Sequence, residues 1–206
     1  MNILKKGSRG EDVKTLQRKL SLIADGIFGP LTDEAVREFQ KANRLTVDGI
    51  VGAKTWEALG VANNPRNIKE IIVHYTATPQ GENFTVEQIR QMHLARGFSD
   101  IGYHWYIDRD GNIFKGRDEK LAGAHTTGHN TISIGVCYCG GCPPRSVKNW
   151  QNVGMDTRTP AQKAALLKLL KELKHNRYPN ATIHGHNEFA NKPCPGFNAK
   201  EEYKDI

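Results

Sequence analysis

The chain has 206 residues, with 29 lysines and arginines against 22 aspartates and glutamates for a formal charge of +7, and four cysteines. That length fits one medium domain or two small ones with room for a buried core. No apolar run is long enough to cross a bilayer, and the lysines are scattered rather than gathered into a nucleic-acid arm. The positive balance therefore leaves a solvated basic face, or an acidic partner among which charge alone does not choose: nucleic acid, an anionic membrane surface or a polyanionic cell wall.

Residues 1–10 (MNILKKGSRG) lack the apolar stretch of a signal peptide, which predicts a protein made and held in a reducing cytoplasm. There the cysteines serve as free thiols or ligands rather than disulfides. Residues 13–35 and 36–58 repeat one another with a period of 23. Val13 maps to Val36, Leu16 to Phe39, Gln17 to Gln40 and Leu22 to Leu45, and the turn from Asp25 to Gly29 maps to that from Asp48 to Gly52. Each unit reads as an amphipathic helix followed by a glycine-punctuated turn into the next helix. Ser8 and Glu11 have capping-box spacing, Thr32 and Thr55 are expected N-caps, and Gly60 is an expected stop. Neither unit can bury its apolar face alone, so the pair is expected to form one small three-helix, all-α domain over residues 1–60. Through its paired DGIFGPLT and DGIVGAKT turns, the segment 4–59 resembles the peptidoglycan-binding module attached to many cell-wall hydrolases.

Residues 61–68 are turn-rich and read as a linker to a domain over 69–206. Its first strand is expected at Glu70–Tyr75, followed by a helix capped by Thr85 and Gln88, with Ile89 and Met92 on its buried face and Gly97 as its stop. Segments 102–107 and 112–115 read as a hairpin, and 132–138 as another strand. Thr159, Pro160 and Gln162 open a long helix whose Leu166, Leu169, Leu170 and Leu173 make an apolar stripe. Strands alternating with helices predict an α/β domain with a mixed central sheet flanked by helices.

His186 and Cys194 lie on what reads as one loop, with Lys192 two residues before the thiol, and His74 ends the apolar run Ile71-Ile72-Val73. Two imidazoles and a thiolate suit a zinc ion whose fourth position is left to water, which points to a zinc hydrolase. Pro193 and Pro195 bracket Cys194 and restrict its backbone. His184, two residues from His186, would share its strand face and is the competing ligand. Alternation likewise lets only one of Tyr103 and His104 face a cleft. His93 reads as a packing residue, and His129 and His175 as exposed polar side chains.

The blocks VHYTAT (73–78), IGYHWYI (101–107), GRDEKLAGAHTTGHN (116–130), SIGV (133–136) and GHNEFANKPCPGF (185–197) occur in the order seen in type 2 N-acetylmuramoyl-L-alanine amidases. The resemblance is nearest to the small phage lysozyme-amidases and covers nearly all of residues 69–203. It implies one catalytic zinc ion held by His74, His186 and Cys194, with the second histidine ligand on His186 rather than His184. It also implies catalytic roles for Tyr103 and Lys192, a substrate contact for His125, and hydrolysis of the amide between N-acetylmuramic acid and L-alanine in peptidoglycan. With no export signal in view, the resemblance suggests a monomeric phage or prophage endolysin that reaches the wall after the membrane is permeabilised, its partner being peptidoglycan rather than nucleic acid or membrane. A host autolysin and a non-catalytic peptidoglycan-recognition protein are the alternatives. Cys139 and Cys142 depart from the pattern: their CxxC spacing suits a redox pair or a second metal, although no further ligand pair follows. Cys137 reads as a small buried strand residue, and residues 143–158 as a long surface loop.

Overall fold

The computed structural model describes residues 3–61 and 66–206; half of the expected linker, residues 62–65, lies outside them, as do residues 1–2. The chain divides into two compact units, Met1–Pro65 with Glu172–Asn180, and Arg66–Lys171 with Ala181–Ile206.

In the first unit, α1 (Glu11–Lys19), α2 (Pro30–Ala42) and α3 (Ala53–Ala58) enclose a core that includes Val13, Leu16, Phe28, Val36, Val51 and Trp56. The sequence repeat recurs as a hydrogen-bond repeat. The Gln17 amide donates to Asp25 Oδ1 (2.7 Å), the Ile27 carbonyl (3.1 Å) and Thr32 Oγ1 (3.1 Å), and its oxygen accepts from Gly26 N (2.9 Å). Gln40 does the same with Asp48, Ile50, Thr55 and Gly49 at 3.0, 3.0, 3.3 and 3.0 Å. A buried amide whose oxygen and nitrogen are both engaged fixes the turn that follows each helix. Gly26 and Gly49 take φ of 78° and 73°, where a side chain would strain the turn.

These glutamines also displace the expected caps. Thr32 and Thr55 lie inside α2 and α3, buried as amide acceptors, and Gly29 and Gly52 precede the helices instead. Ser8 accepts from Lys5 N, and α1 starts later, after Gly10.

The second unit is built on a five-stranded mixed sheet of order β4-β3-β5-β1-β7. Its strands are β1 (Glu70–Tyr75), β3 (Trp105–Ile107), β4 (Ile113–Lys115), β5 (Ser133–Tyr138) and β7 (Thr182–Gly185); β2 (Thr78–Pro79) and β6 (Gly141–Cys142) pair separately. The central strand β5 is buried throughout, as expected for an apolar strand covered on both faces. It lies parallel to β1, placing His74 beside Cys137, while β7 flanks β1 on the other side. The β3–β4 hairpin turns on Asp108, whose carboxylate accepts from Asp110 N (3.0 Å) and Asn112 N (2.8 Å).

The helix α4 (Val86–Leu94) carries the Thr85–Gln88 capping box, and Thr159 with Gln162 makes the equivalent reciprocal bonds at α5 (Pro160–Glu172). The leucine stripe is buried as expected. Two expectations change. His93, not Met92, shares the buried face of α4 with Ile89, Met92 being 45% exposed. The strand expected over 102–107 is shortened because Gly102 bonds outside the ladder, its N–H to His93 Nδ1 (2.8 Å) and its carbonyl to Ala124 N (3.0 Å).

Residues 143–158 are irregular apart from a short turn at Trp150–Asn152, yet they are anchored. Met155 N donates to the Gly141 carbonyl (2.9 Å), and Gly154 packs so closely on Pro193 and the Tyr75 hydroxyl that a β-carbon would collide with both. Arg158, buried over the Phe197 ring, pairs with Asp156 (2.9 Å) and Glu202 (2.8 Å), tying this segment to α6 (Ala199–Glu202).

Candidate metal centre and cleft

His74 lies near the end of β1, and β7 leads directly into His186, so parallel pairing of the two strands brings both imidazoles to one edge of the sheet. The loop after His186 returns Cys194 to β1, where its thiol accepts from Tyr75 N (3.3 Å). The neighbouring Pro195 carbonyl is held by the Tyr138 hydroxyl at 2.6 Å. One donor atom each from His74, His186 and Cys194 falls within 4.8 Å of the others, the only such group of histidine, cysteine and carboxylate donors among the described residues. His74 Nδ1 stands 3.8 Å from Cys194 Sγ. Tetrahedral zinc with ordinary Zn–N and Zn–S bonds would separate such atoms by about 3.6 Å, so the donor set fits that ion.

The orientation of His74 is fixed from behind. Its Nε2 faces His125 Nδ1 at 3.0 Å and Thr126 Oγ1 at 3.3 Å. With the proton on Nε2 and donated there, Nδ1 keeps its lone pair toward the thiol, which is the usual way an outer partner sets a ligand's tautomer. The Asn130 carboxamide oxygen accepts from both His125 N (2.8 Å) and Thr126 N (2.9 Å), holding that partner loop in shape. Burial first, then His125, His186 and Lys192, hold the His74 imidazole well below its ordinary pKa; burial and Lys192 lower His186. Both rings are therefore neutral at neutral pH, as ligation needs. Burial pushes the Cys194 thiol up to about 12, against the lowering influence of Tyr75 N and Lys192. A bound divalent cation would supply the charge that favours the thiolate.

These groups line a cleft of about 460 Å³ that also includes Tyr103 and Lys192. The Tyr103 ring lies 5.3 Å from that of His74. Burial and the neighbouring Cys137 and Cys194 thiols raise the Tyr103 hydroxyl well above its usual range, which keeps it a neutral donor. His104 takes the opposite face of the chain, buried, with Nδ1 accepting from Gly135 N (2.9 Å).

The structure separates the competing histidines. His184 is occupied by Glu188 (2.8 Å) and Thr182 (2.7 Å) and does not join the ligand group. His125 lines the cleft, but its Nδ1 faces His74 and its Nε2 faces Ser133 Oγ at 3.3 Å, so both ring nitrogens already have protein partners. His129 is not a free polar side chain: it pairs with Glu70 at 2.8 Å and stacks on Phe189 at 4.1 Å. Cys139 and Cys142 are buried free thiols outside the ligand group.

Sequence reasoning missed Thr126, Asn130 and Arg66. Arg66 donates to the carbonyls of Glu119 (2.9 Å), Leu121 (2.7 Å), Asn130 (2.6 Å) and Thr131 (3.1 Å), and to that of Ser133. It thereby gathers the loop that carries His125 and Thr126. The only sequence signal for the pair around His74 was the polar run from His125 to Asn130, which names no partner.

A mixed-sheet α/β domain with a two-imidazole, one-thiol cleft at a sheet edge, in a chain that also carries a helical repeat unit, defines a modular protein with a candidate metal site. The chain belongs to the N-acetylmuramoyl-L-alanine amidase family, whose sequence profile matches residues 64–197, and residues 9–59 match a peptidoglycan binding domain family. It is similar to the endolysin of Escherichia phage T7, 42% identical over 130 residues that cover 63% of this chain and 82% of that protein. It is also similar to a peptidoglycan-recognition protein of Drosophila melanogaster, 30% identical over 66% of this chain and 73% of the relative. Among solved structures, the N-acetylmuramoyl-L-alanine amidase LysC of Clostridium intestinale matches with a TM-score of 0.54 and 32% identity, over 66% of this chain and 82% of that one.

Proposed function

We propose that the protein is a zinc-dependent amidase that hydrolyses the bond between the lactyl group of N-acetylmuramic acid and the L-alanine of the stem peptide, acting as a phage or prophage endolysin. The observation that carries this reading is the meeting of His74, His186 and Cys194 at one cleft, with His74 Nε2 facing His125 and its Nδ1 facing the thiol. In this reading those three residues hold the ion, which when bound polarises the scissile carbonyl and lowers the pKa of water to about 7. Lys192 presents an ammonium to the oxygen that gains negative charge, an effect of about 3–4 kcal/mol for one well-placed donor. Tyr103 orients the attacking water through its protonated hydroxyl. His125 acts through His74 rather than on substrate, since both of its nitrogens are engaged within the protein.

Residues 1–60 form the module that holds the wall polymer, residues 61–68 link it, and residues 69–206 cut. Tethering raises local substrate concentration without new contacts in the cleft. The protein works as a monomer, is made in the cytoplasm, and meets the wall once the membrane is breached. Among the described residues, no helix is long and apolar enough to cross a membrane.

Mass spectrometry of purified peptidoglycan digested with and without a chelator tests the reading. Free stem peptides beginning with alanine, lost on chelation and restored by zinc, are expected. Reducing-end sugar fragments, or cleavage indifferent to chelator, would refute it.

A further inference from the structure

Behind His74 a chain of hydrogen bonds runs through two more side chains to the backbone. His74 Nε2 faces His125 Nδ1 at 3.0 Å, His125 Nε2 faces Ser133 Oγ at 3.3 Å, and Ser133 Oγ donates to the His129 carbonyl at 2.8 Å. Taken singly, each ring contact allows the proton on either side. The last contact removes that freedom. A carbonyl only accepts, so the single hydroxyl proton of Ser133 is committed to it, and Ser133 Oγ must accept from His125.

His125 Nε2 therefore carries a proton. In a neutral imidazole Nδ1 is then bare and must accept from His74 Nε2. His74 in turn keeps its lone pair on Nδ1, the atom 3.8 Å from Cys194 Sγ. A doubly protonated His125 would reverse the first contact and put a proton on His74 Nδ1, so ligation by that atom and a neutral His125 go together. Thr126 fits the same polarity: its Oγ1, 3.3 Å from His74 Nε2 and 3.1 Å from His125 Nδ1, accepts from the first and donates to the second.

The fold holds each part of this chain. A β-carbon at Gly123 or at Gly135 would collide with the His125 ring, so the imidazole is slotted between two backbones that carry no side chain there. Ser133 is buried at the start of β5, and the His129 carbonyl is fixed in a turn by a second donor, Ile132 N, at 3.1 Å.

We propose that Ser133 is a positioning residue for the metal centre: by holding the proton on His125 Nε2, it selects the tautomer in which His74 Nδ1 is free to ligate. The proposal rests on the zinc reading above and adds the side chain that orders it, two residues removed from the ion. The serine touches neither substrate nor metal.

The test uses the full chain labelled with nitrogen-15 at histidine, first without metal. Ring nitrogen shifts separate protonated from bare positions, and wild-type His74 and His125 should both carry their proton on Nε2. In Ser133→Ala the His125 signals should move toward the Nδ1-protonated form. Zinc, titrated against a competing chelator, should bind that variant about 10-fold or more weakly, the usual cost of losing an outer partner of a ligand. His104, whose Nδ1 accepts from Gly135 N at 2.9 Å, should keep its signature, which a general loosening of the strand would not allow. A wild type with His125 protonated on Nδ1, or a Ser133→Ala variant with wild-type tautomers and zinc affinity, overturns the role of Ser133 alone. A folded wild type that takes up no zinc overturns the metal reading on which it stands.

Discussion

At His74 the strand supplies the position, burial keeps the ring neutral, and the pair His125–Thr126 decides which nitrogen meets Cys194. Lys192 is held differently: it is exposed and lies outside the ligand group. On the proposed reading, Lys192→Ala should lower kcat by roughly 100- to 1,000-fold while zinc stoichiometry stays at the wild-type level; loss of metal instead would contradict a catalytic role for Lys192. The ligand candidates were legible in the sequence because their chemistry is rare and their neighbours are distinctive. His125 was read from the sequence as a substrate contact, and its approach to the His74 ring, 51 residues away and 3.0 Å from its Nδ1, was not legible there. Thr126 and Asn130 were illegible for the same reason. Short polar side chains that bond to loops leave no period and no motif.

Elements whose determinants are local were read correctly. The Thr85–Gln88 box, the start of α5 at Thr159 and Pro160 and the Asp108 hairpin all depend on residues within four positions of one another. The helix starts in the first unit were misread because Thr32 and Thr55 have two possible employments, as caps or as acceptors. The glutamine fifteen residues earlier takes them as acceptors. The loop from Glu119 to Ser133 shows the same dependence on a distant residue. It lacks regular structure through Ile132, and one guanidinium from the start of the second unit collects its carbonyls. Arg66→Ala should cost about 2–4 kcal/mol, the loss of several bonds to a charged donor less what water recovers. Hydrogen exchange should report the loss first at residues 119–133. Uniform loss of protection across the sheet would contradict this local account.

At the scale of the whole molecule, the division into a helical repeat and an α/β domain was visible in periodicity, but the strand order β4-β3-β5-β1-β7 was not, because parallel pairing joins segments far apart in the chain. The Arg158 cluster makes such a long-range connection within the second unit, and it carries a pH signature. Burial opposes the charge on Asp156, but hydrogen bonds and charge from Arg158 prevail and hold it below its ordinary 3.8. Arg158 holds Glu202 below its ordinary 4.5, foremost through a hydrogen bond. Folded values below unfolded ones stabilise the fold fully above the ordinary carboxylate range, and this contribution is lost as pH falls through the depressed values. Tm should thus drop steeply below about pH 4. In Arg158→Met, already less stable at neutral pH, Tm should fall by less over the same acid window; parallel curves for the two proteins would exclude the cluster as the cause.

On the proposed reading, the convergence at β1 also bears on when, during synthesis, the protein can become active. Cys194 follows His74 by 120 residues, and His186 arrives only after the last strand has emerged from the ribosome. A polypeptide that stops short of residue 194 lacks the thiol and cannot assemble the three-donor centre. On the proposed reading, hydrolytic capacity is withheld until residues 186–194 have been made and packed beside β1.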